Sequence, residues 1–405
     1  MMKNKTKETF NKYTIFLIYA MIPYTFINAV NDTGTASILN RLILAGLLLF
    51  AIIPLNNRIT EDSIQAHFVI LAIYMTVSLI VSGLYRNYTS DAFLREALYT
   101  ILPIGLFIRV SKEDMPNYKF YRLLIGLISI IVIVGLPVYF KRLPLLIMGR
   151  EFRILRLNSI GVGFGSFIGV IGMGYLSQLG FSICLYNKTK LGKINILFEI
   201  IFAIISFLTL QRSPVIGILI AVVLYVFNGH GLKKGLKYIF LISLSGVAVY
   251  IVLFRVVGQF TDFKLENYLN NTIKTMSLGI GERSNQHVIY NSNIVEYVFG
   301  KGLGTFSPNN PNAIQSLTDA GMYRVFNELG LVGMILYFFP LLQILMKMVK
   351  KKNVFGVYFI SFSLASFYVN RTIWSIPSVF VFYLILGIEY KGLRIDRRIN
   401  NIQDF

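Results

Sequence analysis

The chain has little of what most chemistry-bearing sites require: one cysteine, three histidines and one tryptophan in 405 residues. Cys184 sits alone in an apolar stretch, which excludes a disulfide framework and a thiolate metal cluster. Three scattered histidines argue equally against a zinc centre, so neither metal nor cofactor is expected. Charge is scarce too. Charged residues make up 14% of the chain, and between the apolar runs no stretch is left for a soluble domain of ordinary size.

What remains is apolar. Apolar residues make up 55% of the sequence, and they recur in runs of about 20, long enough to cross a bilayer as helices. The pattern predicts helices near 13–30, 37–55, 65–83, 92–110, 120–140, 160–186, 194–210, 214–228, 237–258, 321–346, 354–370 and 377–390. The expected fold class is therefore all-α: a polytopic integral membrane protein of about 12 transmembrane helices, with one large extracytoplasmic loop at 259–320. Lys3, Lys5, Lys7 and Lys12 precede the first run, and no small-residue cleavage site interrupts it before Pro23, so the first helix is expected to be retained. Three segments follow from this reading: 1–206, the N-terminal helices with a basic outer loop at 140–160; 207–346, a core containing the loop 259–320; and 347–405, the last helices and a basic tail.

The net charge of +20 would suggest nucleic acid in a soluble protein. Here its distribution points elsewhere, and nucleic acid is not an expected partner. Lysines cluster at alternate connections, Lys112/Lys119, Lys188/Lys190/Lys193, Lys233/Lys234/Lys237 and Lys347/Lys350/Lys351/Lys352, which the positive-inside rule assigns to the cytoplasm with both termini. Of 21 lysines, only Lys141, Lys264, Lys274 and Lys301 fall on the other side. Arginine does the reverse. Arg86, Arg142, Arg150, Arg153, Arg156, Arg212, Arg283, Arg324 and Arg371 all fall in outer loops or at outer helix ends. A guanidinium binds carboxylate or phosphate bidentately and tolerates partial desolvation, so the outer face reads as one built to hold an anion. Any single arginine has the alternative of snorkelling or of pairing with Asp91, Glu96 or Glu151.

Several constellations sharpen this. Arg212, in the turn LQRSP at 210–214, lies between two short apolar runs and is drawn below the outer surface, where it needs a fixed anionic partner, ligand or protein. Arg150, Arg153 and Arg156 stand three apart, which on an interfacial helix makes one basic stripe suited to a polyanion or to lipid headgroups. The run GVGFG at 161–165 lacks the context of a phosphate loop and reads as close helix packing. In the long loop, Arg283 and His287 are four apart with Glu282 and Gln286 beside them; His287 is either a general base or a surface residue. The turn GKGLGTF at 300–306 then offers glycines for backbone approach to a ligand and N–H groups to face an anion. Asp319 precedes the next helix as cap, base or both. Arg324 and Glu328 form an i,i+4 pair at its start, a salt bridge unless Arg324 turns to a ligand.

The order of these parts resembles the O-antigen polymerase and ligase superfamily of integral membrane glycosyltransferases, over roughly 207–339. In that family a helix end with serine beside arginine opens the domain, as LTLQRSPVIGILI does at 208–220. A large external loop with arginine follows, then a G-x-G-x-F-like turn, a polar residue before a helix, and an ending like E-L-G-L-x-G. Arg283, Gly302/Gly304/Phe306, Asp319 and Glu328–Gly333 match these in turn. Ligases of the family carry histidine where Asp319 stands, and aspartate looks more like polymerases.

The resemblance implies a polymerase of surface polysaccharide repeat units. It would transfer an undecaprenyl-diphosphate-linked glycan onto a sugar hydroxyl of another lipid-linked repeat at the outer face of the membrane. Arg212, Arg283, Arg324 and Arg371 are then the expected diphosphate ligands, and Asp319, His287 and Glu282 the catalytic candidates, with Asp319 leading. Partners implied are lipid-linked oligosaccharides, membrane lipids, a chain-length regulator and a flippase. The alternatives are a ligase moving glycan to a different acceptor, and a flippase or transporter of lipid-linked oligosaccharide. Transporters usually show two related halves, and no internal repeat is evident here.

Overall fold

The computed structural model describes residues 63–112, 119–130, 145–147, 150–152, 155–158, 161–164, 169–187, 194–209, 211, 213–229, 237, 288–307, 310, 313–314, 321–369 and 378–403. Apart from residues 145–164, their regular structure is helical. The elements are α1 (Ser63–Tyr85), α2 (Ser90–Val110), α3 (119–130), α4 (Gly169–Tyr186), α5 (Ile194–Leu208), α6 (Ser213–Gly229), α7 (Ile294–Phe299), α8 (Gly321–Lys350), α9 (Val354–Val369) and α10 (Ser378–Gln403). Among the described residues two helices, α1 and α8, are long and apolar enough to cross a membrane, against the dozen expected; Ile196–Leu208, Ser213–Gly229 and Val354–Tyr368 are apolar but shorter. The spans expected at 13–30 and 37–55, and nearly all of the one at 237–258, lie outside the described residues.

The chain folds as two compact units, one of residues 1–120 with 285–405 and one of residues 121–284. The core segment expected at 207–346 is thus shared between them. In the second unit α4 packs on α5, and the Tyr186 hydroxyl donates to the Ala221 carbonyl of α6 at 3.0 Å.

Two sequence expectations are corrected here. Arg150 and Arg156 do not share a helix: they lie on strands of two separate antiparallel hairpins, Leu145–Ile147 with Arg150–Phe152, and Leu155–Asn158 with Gly161–Phe164. The register Ile147↔Arg150 and Asn158↔Gly161 pairs backbone groups that a helical stripe would have used internally. GVGFG is accordingly strand rather than helix packing, and the helix expected at 160–186 begins at Gly169.

The first unit positions the site. α1 buries Ile64, Phe68, Leu71, Met75, Leu79 and Ser82, a stripe at spacings of three and four, against its neighbours. Its other face is also apolar and exposed, through Ile70, Ile73, Val77, Ile80, Val81 and Leu84. A helix apolar all round belongs in a core or in lipid. α2 starts at a Thr89 cap, whose hydroxyl accepts from the Ala92 N–H at 3.2 Å. Phe68, Phe107, Tyr383 and Tyr390 bind α1, α2 and α10 together, with ring centroids 4.5 Å apart for Phe68–Phe107 and 5.6 Å for Phe107–Tyr390. α8 runs antiparallel to α1: Phe339 meets His67, and Leu329 meets Tyr74.

Candidate functional site

Glycine decides how the loop before α8 folds. α8 breaks at Gly330, whose φ of 63° and ψ of −164° leave helical space. Gly300, at φ 79°, lies against the same point. A Cβ on Gly330 would stand 2.5 Å from the Gly300 nitrogen, and one on Gly300 would stand 2.3 Å from the Glu328 carbonyl. Only two glycines allow this approach of backbone to backbone.

A helix end leaves four carbonyls unpaired, and the break at Gly330 makes such an end inside α8. The loop answers it. Phe326 O accepts from Asn291 Nδ2 at 3.3 Å, Asn327 O from the Lys301 N–H at 2.9 Å, Glu328 O from the Gly302 N–H at 2.9 Å, and Leu329 O from the Tyr74 hydroxyl at 2.8 Å. Asn327 adds its side chain, accepting from the Tyr290 N–H at 2.7 Å and donating to Val288 O at 2.9 Å.

The turn GKGLGTF is therefore spent on the protein itself. Beyond the contacts above, the Leu303 N–H donates to Ser78 Oγ at 3.0 Å, the Leu303 carbonyl accepts from Ser82 Oγ at 2.7 Å, and the Phe306 N–H donates to Glu328 Oε1 at 2.9 Å. Leu303, Thr305, Phe306 and Ser307 are fully buried. The N–H groups of Lys301, Gly302, Leu303 and Phe306, expected to face an anion, face the broken helix, a serine and a carboxylate. The Tyr88 hydroxyl closes the turn, donating to Leu303 O at 3.1 Å; burial pushes this phenol above its usual value.

At the floor of the turn lies a buried ion cluster. Arg324 Nε donates to Glu328 Oε1 at 3.0 Å and Nη2 to Glu96 Oε2 at 2.8 Å. Ser307 Oγ donates to the other Glu96 oxygen. All three charged groups are buried, at 4% side-chain exposure for Arg324, 1% for Glu96 and 0% for Glu328. Glu328 Oε2 is buried with no hydrogen-bond partner among the described residues. Two acids thus face one guanidinium, which is engaged by protein partners. Of the two readings open for Arg324, the salt bridge forms, and Glu96 joins it from α2. The arrangement serves as a strut between α2, the turn and α8.

Arg324 is the one expected site residue whose side chain is described. Arg212, Arg283, Arg371, Arg153, Asp319, His287 and Glu282 lie outside the described residues, and Arg150 and Arg156 are described in backbone only. Among the described residues no group of three or more His, Cys, Asp or Glu side chains is placed to hold a metal ion. Sequence reasoning named Glu96 only as one acid among several, and missed Tyr74, Ser78, Ser82 and Asn327. Polar residues inside otherwise apolar helices were the available signal for all five. No protein-family model matches the chain, and no curated protein matches it either.

Proposed function

We propose that the protein is a membrane glycosyltransferase that polymerises surface polysaccharide repeat units. It takes an undecaprenyl-diphosphate-linked glycan as donor and the sugar hydroxyl of a second lipid-linked repeat as acceptor, at the outer face of the cytoplasmic membrane. One observation carries the reading. The G-x-G-x-F-like turn and the E-L-G-L-x-G ending, separate members of the ordered motif set, form a single buried contact through Gly300/Gly330, Gly302/Glu328 and Phe306/Glu328. That these two motifs depend on each other structurally supports reading them as parts of one functional unit.

In this proposal the leaving diphosphate gathers negative charge as the glycosidic bond breaks, and guanidinium groups held in a poorly hydrated site stabilise it. Arg212 and Arg283 take that role, with Arg371 as a helper. Arg324, neutralised by Glu96 and Glu328, holds the turn instead. Asp319, two residues ahead of α8, accepts the proton of the attacking hydroxyl, and the glycan moves from the diphosphate oxygen to the acceptor oxygen. The lysines at the C-terminal end of α8 and the antiparallel packing of α1 and α8 support the same orientation: Tyr85 and Gly321 outward, Ser63 and Lys350 inward. Deleting the protein should leave single repeats on the lipid carrier. Long polymer that is made but not attached would favour a ligase, and loss of externally exposed lipid-linked repeats would favour a flippase.

A further inference from the structure

We infer that residues 294–307 dip into the bilayer from its outer side as a re-entrant segment, and that the exposed apolar face of α7 contacts lipid acyl chains directly. The inference rests on the membrane reading of α1 and α8 given above. It changes the character of the loop, which by its sequence belongs wholly to water.

Depth is set by the partners on α1. α1 has 23 residues, a length of about 34 Å at about 1.5 Å per residue. Tyr74 stands at its middle. The Tyr74 hydroxyl donates to the carbonyls of both Phe299, the last residue of α7, and Leu329. Phe299 is therefore held at mid-helix, about 16 Å from the Tyr85 end. From there the chain climbs. Leu303 bonds to Ser78 and Ser82, and the turn then meets Tyr88 beyond the helix end. The descending limb is fixed on α8, Tyr290 and Asn291 at the level of Phe326–Asn327 and Val298 against Gly330. Measured up α8 from Lys347, Gly330 lies about 26 Å along the helix, which sets the shallow limit: just inside the outer boundary of a hydrocarbon core about 30 Å thick.

Exposed polar Ser292 and Asn293 stay at the headgroup level; below them the segment meets what hydrocarbon imposes. Non-helical backbone is tolerated at depth only when buried and hydrogen-bonded within protein, as Leu303 and Thr305–Ser307 are. What faces outward must be apolar, and α7 exposes Ile294 at 79%, Val295 at 62% and Phe299 at 54%. The charges it carries, Glu296 and Lys301, pair with each other at 3.3 Å. α8, on which α7 packs, and α1, to which Tyr74 ties it, expose the same kind of surface, Leu331, Ile335 and Phe339 on one and Ile73, Val77 and Ile80 on the other. The likeness of these surfaces points to the same acyl chains as occupant.

Spin labelling of the full chain tests this. In a Cys184→Ala background, single cysteines at Val295, Phe299, Val77 on α1 and Ser90 are labelled, and the protein is reconstituted in phosphatidylethanolamine–phosphatidylglycerol vesicles. Collision rates with oxygen, which enters hydrocarbon, are compared with those for a water-soluble nickel chelate. The inference predicts that positions 295 and 299 match Val77, oxygen-accessible and nickel-poor, while Ser90 shows the reverse. Nickel access at 295 and 299 with Val77 still in lipid overturns the re-entrant segment alone. Low collision with both reagents at 295 and 299 means that protein, such as a second copy of the chain, covers α7, and overturns it too. Nickel access at Val77 overturns the membrane reading itself.

Discussion

Arg324 carries more of the fold than its position at a helix start suggests. Removing it leaves Glu96 and Glu328 facing each other without a counter-charge, and breaking a buried ion pair in this way costs about 3–5 kcal/mol. Arg324→Met is expected to destabilise the protein by that amount in thermal or denaturant unfolding. Glu96→Gln is the informative contrast. It leaves one acid against one base with a hydrogen-bond acceptor still in place, so its expected cost is only about 1 kcal/mol. A solvent-exposed substrate ligand would show the opposite pattern at position 324, an unchanged midpoint with a raised KM for the lipid-linked donor. Gly330 is the second residue on which the site depends. Gly330→Ala forces a side chain into positive φ and against Val298 and Gly300, for a loss of at least about 1–3 kcal/mol. The measurement is the unfolding midpoint in detergent, with Ile335→Ala, at an exposed position of the same helix, as the control.

At the scale of elements, α7 is held at its start by Glu296. Glu296 accepts from the backbone N–H and the hydroxyl of Ser292, at 2.7 and 2.9 Å, and pairs with Lys301 at 3.3 Å. Amide hydrogen exchange at residues 292–300 is therefore expected to accelerate in Glu296→Gln, relative to α8, because the carboxylate that accepts both Ser292 bonds is lost. Helices were the legible elements. Apolar runs announced α1, α2, α5, α6, α8 and α9 to within a few residues, because burial and lipid both select the same side chains. Two kinds of feature were not legible. A helix and a hairpin both accommodate REFRILRL, and hydrogen-bond register, which spacing does not reveal, decides for strands. Likewise the glycines of 300–306 announced a close approach, but not that the partner is α8.

The whole molecule combines a unit in which α1, α2, α7, α8 and the turn interlock with an arginine set expected at the outer face. Arg212 separates charge from geometry. Arg212→Lys keeps the charge and loses the bidentate fork, so at normal protein level it is expected to shorten the polymer or abolish it, read as the length distribution on a gel. Full-length polymer from that variant removes Arg212 from the site. The decisive experiment is the reaction itself: purified full-length protein, in detergent or vesicles, is given undecaprenyl-diphosphate-linked repeat units and nothing else. A polymerase yields a ladder of lipid-linked products, each one repeat longer than the last, with undecaprenyl diphosphate released at every step. Repeats that stay single while the lipid carrier stays loaded rule that activity out.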